Sequence, residues 1–135
     1  MSERSVNSNG NGDLNIDPVT LPGFSARAIG RGRTATVYLR GEADMQVQLV
    51  MRRFLEALHA EALRAPLSEI IVDVHELEFM TSSCFKELVS WANTMQSLAK
   101  DKRYNVRVLS NPKSHWQKRS LFALSRFAAE IITVE

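Results

Sequence analysis

Two rhythms of apolar and polar residues alternate along the chain from Phe24 onward, and the switches between them mark its elements. In Thr34-Ala35-Thr36-Val37-Tyr38-Leu39-Arg40, the residues Ala35, Val37 and Leu39 fall on one side of an extended backbone, which predicts a half-buried strand. Phe24 to Ile29 predicts a second strand, joined to the first by Gly30-Arg31-Gly32, where glycine permits the positive backbone angles of a tight hairpin. After Gly41 the spacing changes. Val47, Val50, Met51, Phe54, Leu55, Leu58 and Ala62 recur on one helical face, Asp44 stands where a helix cap is needed, and Pro66 closes the segment.

Glu69-Ile70-Ile71-Val72-Asp73-Val74 is a nearly unbroken apolar run of strand length, which predicts a central strand covered on both faces. Phe85, Leu88, Val89, Ala92, Met95 and Ala99 return to helical spacing directly after the hydroxyl cluster Thr81-Ser82-Ser83. Tyr104 to Leu109 reads as a strand, Ser114 to Leu124 as a short helix and Ile131 to Val134 as a last strand. The order β-β-α-β-α-β-α-β predicts an α/β domain with a mixed sheet and helices packed against it. Residues 1–20, rich in Ser, Asn, Gly and Asp, offer little apolar surface to offset the entropy of ordering and are expected to be a flexible tail, with the domain spanning 21–135.

Composition narrows the function classes. A 135-residue chain with 44% hydrophobic and 24% charged residues suits one globular domain. Its formal charge of +2 is too small to argue for a nucleic-acid binder. The single cysteine, Cys84, cannot form an internal disulfide or a cysteine metal site, and there is no signal-peptide core or membrane-spanning run, so a cytoplasmic protein without membrane insertion is expected.

Two segments in their architectural places carry a resemblance. Gly41-Glu42-Ala43-Asp44 is similar to the G-E-L-D turn of the sulphate-transporter and anti-sigma-factor-antagonist (STAS) family, and the segment from Ile70 to Phe85 is similar to that family's strand ending in aspartate, short loop and D-S-S-G-L helix start. Thr81 and Cys84 stand where the family has aspartate and glycine. The resemblance implies a STAS-like fold and a non-enzymatic, cofactor-free switch in transcription signalling. Its phosphate acceptor would be Ser83, with Ser82 and Thr81 as secondary acceptors, and its partner-binding surface would comprise Glu42, Asp44, Thr81, Ser82, Ser83, Phe85 and Lys86. The implied partner is an anti-sigma factor with serine kinase activity, reset by a phosphatase. An alternative from the same family is an accessory subunit that contacts the ATPase of a lipid-transport complex without phosphorylation.

Each of these residues also has a plainer reading. Ser82 or Ser83 could cap the helix, Asp44 could cap the preceding one, and Asp73 could hold its loop through backbone hydrogen bonds. Cys84 has no base placed beside it by any motif, since His59, His75 and His115 belong to separate elements, so a small buried side chain is expected. Trp91 suits the core, whereas Trp116 suits core and interface equally. The basic stretch Lys113-Ser114-His115-Trp116-Gln117-Lys118-Arg119 is expected to be a solvated helix face.

Overall fold

A computed structural model describes residues 14–135. Seven strands and three α-helices follow in the order β1 (Val19–Leu21), β2 (Phe24–Arg31), β3 (Thr34–Ala43), α1 (Gln48–Arg64), β4 (Glu69–Asp73), β5 (Leu77–Met80), α2 (Ser82–Gln96), β6 (Asn105–Leu109), α3 (His115–Phe127) and β7 (Ile132–Val134). The sheet runs β1-β2-β3-β4-β6-β7, and β5 extends it by pairing with the end of β3. The β1–β2 and β2–β3 pairs are antiparallel, and all later pairs are parallel, as the helical crossovers require.

One face of the sheet carries the core. Ala35, Val37 and Leu39 of β3, Ile70 and Val72 of β4, and Val106 and Val108 of β6 form a single buried cluster with Met51, Phe54, Leu55 and Leu58 of α1, Leu88, Trp91 and Met95 of α2, and Leu121 and Leu124 of α3. The alternate residues Thr36, Tyr38, Ile71, Asp73, Arg107 and Leu109 are only partly buried. The continuous apolar run in β4 therefore does not signal a strand covered on both faces, because its second face is half open.

Two strands were not expected. The segment read as a loop after Asp73 contains β5, whose four residues follow the pattern buried, exposed, exposed, buried, too short and irregular to register as a strand period. The tail boundary also shifts. Val19–Leu21 pairs with β2, Leu14 and Ile16 pack against the core, and the Asn15 amide donates to the Glu61 carboxylate at 2.9 Å. Three apolar residues spaced among polar ones suffice because each packs against the core; Leu14, for example, fills the space a side chain at Gly30 would need. The remainder of the expected tail, residues 1–13, lies outside the described residues.

Candidate functional site

Gly41 begins the site. Its φ of +95° is one that L side chains avoid, and an added Cβ would meet the Gly23 carbonyl oxygen. Without a side chain, the two backbones close in. The Gly41 amide donates to the Glu76 carbonyl and the Glu42 amide to the Gly23 carbonyl, each at 2.8 Å. The β3–β5 register shifts between Gly41 and Glu42, an irregularity of the kind that re-aims a strand end.

Beyond the shift, Ala43 pairs with Met80, so the chain leaving β3 and the chain leaving β5 emerge side by side. The Thr81 amide donates to the Ala43 carbonyl at 2.9 Å, and the Cys84 thiol donates to the Asp44 carbonyl at 3.2 Å. These bonds lock the Asp44 turn to the start of α2. Asp44 caps the short 3-10 turn Met45–Val47 through a 2.9 Å bond from the Gln46 amide, and α1 follows without a side-chain cap of its own.

At the start of α2 the cap is Thr81, not Ser82 or Ser83. Thr81 has the extended backbone of a cap, and its hydroxyl accepts from the Cys84 amide at 3.3 Å. The first bond of the helical ladder runs from the Phe85 amide to the Thr81 carbonyl, so the Ser82 and Ser83 amides lie in the unladdered first turn. Neither the Ser82 nor the Ser83 hydroxyl has a hydrogen-bond partner among the described residues. Ser82 is exposed and Ser83 half-buried.

The fold thus gathers Glu42, Asp44, Thr81, Ser82 and Ser83 at one end, with Lys86 exposed one turn along and Phe85 partly packed on the core. Asp73 stands apart. It lies in register with Tyr38 and Leu109, and its carboxylate accepts from the His75 amide at 3.0 Å and meets His75 Nδ1 at 3.1 Å, which fixes the loop after β4. Cys84 is fully buried, and burial raises its thiol pKa, the opposite of what a nucleophile requires.

Several residues escaped the periodicity. Met45, Leu49 and Phe79 are exposed by 74%, 49% and 47%, and the first and third sit immediately beside the Asp44 turn and the end of β5. Phe79 pairs with Glu42 across the strands, so an aromatic group adjoins the acidic turn. The sequence offered no separate signal for it, because its strand was itself unrecognised.

A polar seam joins α1 to α2. Glu87, almost fully buried, accepts from Arg52 Nε at 3.2 Å, Arg52 Nη2 at 3.1 Å and Gln48 Nε2 at 3.0 Å. Hydrogen bonding from Arg52 outweighs burial and holds the carboxyl below the ordinary glutamate range. Beside it lies a cavity of about 140 Å³ lined by Arg52, Leu55, His59, Glu87, Trp91 and Thr94. Trp91 Nε1 donates to the buried Tyr104 hydroxyl at 2.8 Å, and that hydroxyl lies 2.7 Å from His59 Nδ1. The indole is a donor only, so the Tyr104 hydroxyl accepts from Trp91 and links it to the His59 ring. Burial lowers the His59 pKa and keeps the ring neutral. Trp91 accordingly belongs to the core, and Trp116, half-buried, donates from Nε1 to the Glu78 carbonyl at 3.0 Å and ties α3 to β5. Among the described residues, no cluster of His, Cys, Asp and Glu suits a metal, and no helix is long and apolar enough to cross a membrane.

This architecture is the STAS fold of anti-sigma factor antagonists. An anti-sigma factor antagonist from Mycobacterium paratuberculosis superposes with a TM-score of 0.60 at 17% identity, covering 80% of this chain and 86% of that one. The anti-sigma factor antagonist SpoIIAA in its unphosphorylated form gives 0.54 at 18% identity over 83% of this chain and 87% of that one. The Bacillus cell fate determinant SpoIIAA in its phosphorylated form gives 0.55 at 18% identity over 83% and 90%. No family model and no curated protein sequence matches the chain.

Proposed function

We propose that the chain is a regulatory protein-interaction switch of the anti-sigma factor antagonist kind, with no catalytic step of its own. Unphosphorylated, it binds an anti-sigma factor with serine kinase activity through the Asp44 turn and the start of α2, and phosphorylation at Ser83 weakens that binding. One observation supports this most directly: two serine hydroxyls without partners among the described residues stand at an open helix start, clamped beside Glu42 and Asp44 and bordered by exposed Met45 and Phe79.

The physical consequences follow. A phosphate in the first turn of α2 meets free backbone N–H groups and the positive end of the helix dipole, so the fold tolerates it. It brings about −1.5 to −2 units of charge. Those charges fall beside Glu42 and Asp44, whereas Asp73, held by His75 elsewhere on the sheet, does not contribute. An acidic patch with apolar borders becomes strongly anionic, and a partner seated on Met45 and Phe79 meets both bulk and repulsion.

Mass spectrometry of the protein from its native cell, with and without the purified anti-sigma kinase and ATP, tests the assignment. Phosphate at Ser83 that appears on incubation with the kinase is the expected result. Its absence from Ser83, Ser82 and Thr81 under both conditions contradicts the proposal.

A further inference from the structure

We propose that the outer face of α3 docks peripherally on an anionic phospholipid surface. The charge of this chain is segregated. From residue 102 to residue 129 there are seven Lys and Arg and no Asp or Glu, while the rest of the chain holds ten basic against fifteen acidic residues. Segregation of this degree within a chain of small net charge points to an anionic partner for the basic part.

The structure divides those seven cations. Arg103 pairs with Glu130, and Arg107 pairs with Glu69 and Glu135. Lys102, in the turn before β6, and Lys113, Lys118, Arg119 and Arg126 have no ion-pair partner among the described residues. The last four lie on or next to α3 and are exposed.

Helical spacing arranges them around an aromatic group. Gln117, Leu121 and Leu124 form the buried stripe of α3, which packs against the edge strand β7. At about 100° per residue, Lys118, Arg119, Phe122 and Arg126 share one arc of roughly 100° on the opposite side, with Phe122 inside it. Phe122 is 59% exposed and Phe127, on the flank, 48%. The Arg126 guanidinium lies 5.6 Å from the centre of the Phe122 ring.

Phe122 is an exposed aromatic with Lys118 and Arg119 one turn before it and Arg126 one turn after it, and that flanking charge selects the occupant. Lys118, Arg119 and Arg126, with Lys113 just before the helix, call for several anions beside one exposed aromatic group, which a plane of phosphodiester headgroups provides. Phe122 would enter the boundary between headgroups and acyl chains while the long Lys and Arg stems reach sideways to phosphate, the arrangement of interfacial helices. Three basic residues on this amphipathic helix and Lys113 just before it make a cluster of four, the size at which basic clusters recognise anionic lipid. The helix, thirteen residues long, lies on the surface and does not span it.

Cosedimentation of the full chain with vesicles tests this proposal. Vesicles of phosphatidylcholine and phosphatidylserine in equal amounts should retain the protein, and vesicles of phosphatidylcholine alone should not. The double variant Lys118→Glu, Arg119→Glu should bind at least about thirtyfold more weakly, and Phe122→Ser on the order of tenfold. All three positions are exposed, and circular dichroism establishes that each variant is folded. High salt should weaken binding of the wild type. Failure to sediment with the serine lipid, equal retention by both vesicle types, or variants that bind like the wild type would overturn the proposal. So would retention on polyglutamate without vesicle binding, which would assign the face to an acidic protein.

Discussion

Gly41 governs the candidate site at the scale of a single residue. Its left-handed φ and its approach to the Gly23 carbonyl let β2 and β5 close on the end of β3, and that closure sets the Asp44 turn beside the start of α2. Gly41→Ala should cost more than about 2 kcal/mol, because a side chain there is strained and meets backbone rather than a movable group. Urea unfolding measures it, and an unchanged midpoint would contradict the geometry. Thr81→Ala should cost about 1 kcal/mol through the lost cap, whereas Ser82→Ala should cost far less. The same comparison by urea unfolding separates the residue that holds the helix from those left free. The hydroxyl cluster was legible in the sequence as a helix start. Which hydroxyl capped was not, because any of three adjacent side chains satisfies the pattern and only the backbone angles choose among them.

At the scale of elements, hydrophobic period located all three helices and the strands of the central sheet, since each buries one face and repeats accordingly. It failed where period carries no information. β5 is held by its pairing with β3 rather than by alternation, and β1 by pairing with β2. The apolar content of β4 overstated its cover, because Ile71 lies on the half-open face. Val72 nonetheless points into the core, and Val72→Asp should destabilise by more than about 3 kcal/mol, read as a collapse of the thermal transition. The seam between α1 and α2 was not readable at all, because Glu87, Arg52, His59 and Tyr104 meet only through the packing of distant segments.

That seam predicts how stability responds to acid. His59 has a folded pKa below its ordinary 6.5, so the unfolded chain takes up the proton first and stability falls as the pH drops below 6.5. Glu87 has a folded pKa below its ordinary 4.5, so its contribution is present above 4.5 and is lost as pH falls through the folded value. Both effects have the same sign. Urea midpoints across a pH series should show two descending arms. His59→Gln, which does not titrate and can still hydrogen-bond to Tyr104, should flatten the upper arm, and Glu87→Gln should flatten the lower one while reducing stability at neutral pH.

The whole molecule presents a STAS fold with an acidic, apolar-bordered site at the start of α2 and a basic aromatic face along α3. Its central claim concerns the first of these. Isothermal titration of the anti-sigma serine kinase proposed as its partner, against wild type, Ser83→Ala and Ser83→Glu, tests the switch most directly. A carboxylate suits the dipole at a helix start, so circular dichroism should find all three folded alike. Ser83→Ala should bind as the wild type does, and Ser83→Glu should bind about ten- to a hundredfold more weakly, a loss of about 1–3 kcal/mol for a repelled charge in a docked interface. Equal affinities across the three proteins would contradict the account and leave the serine pair with no part in partner recognition.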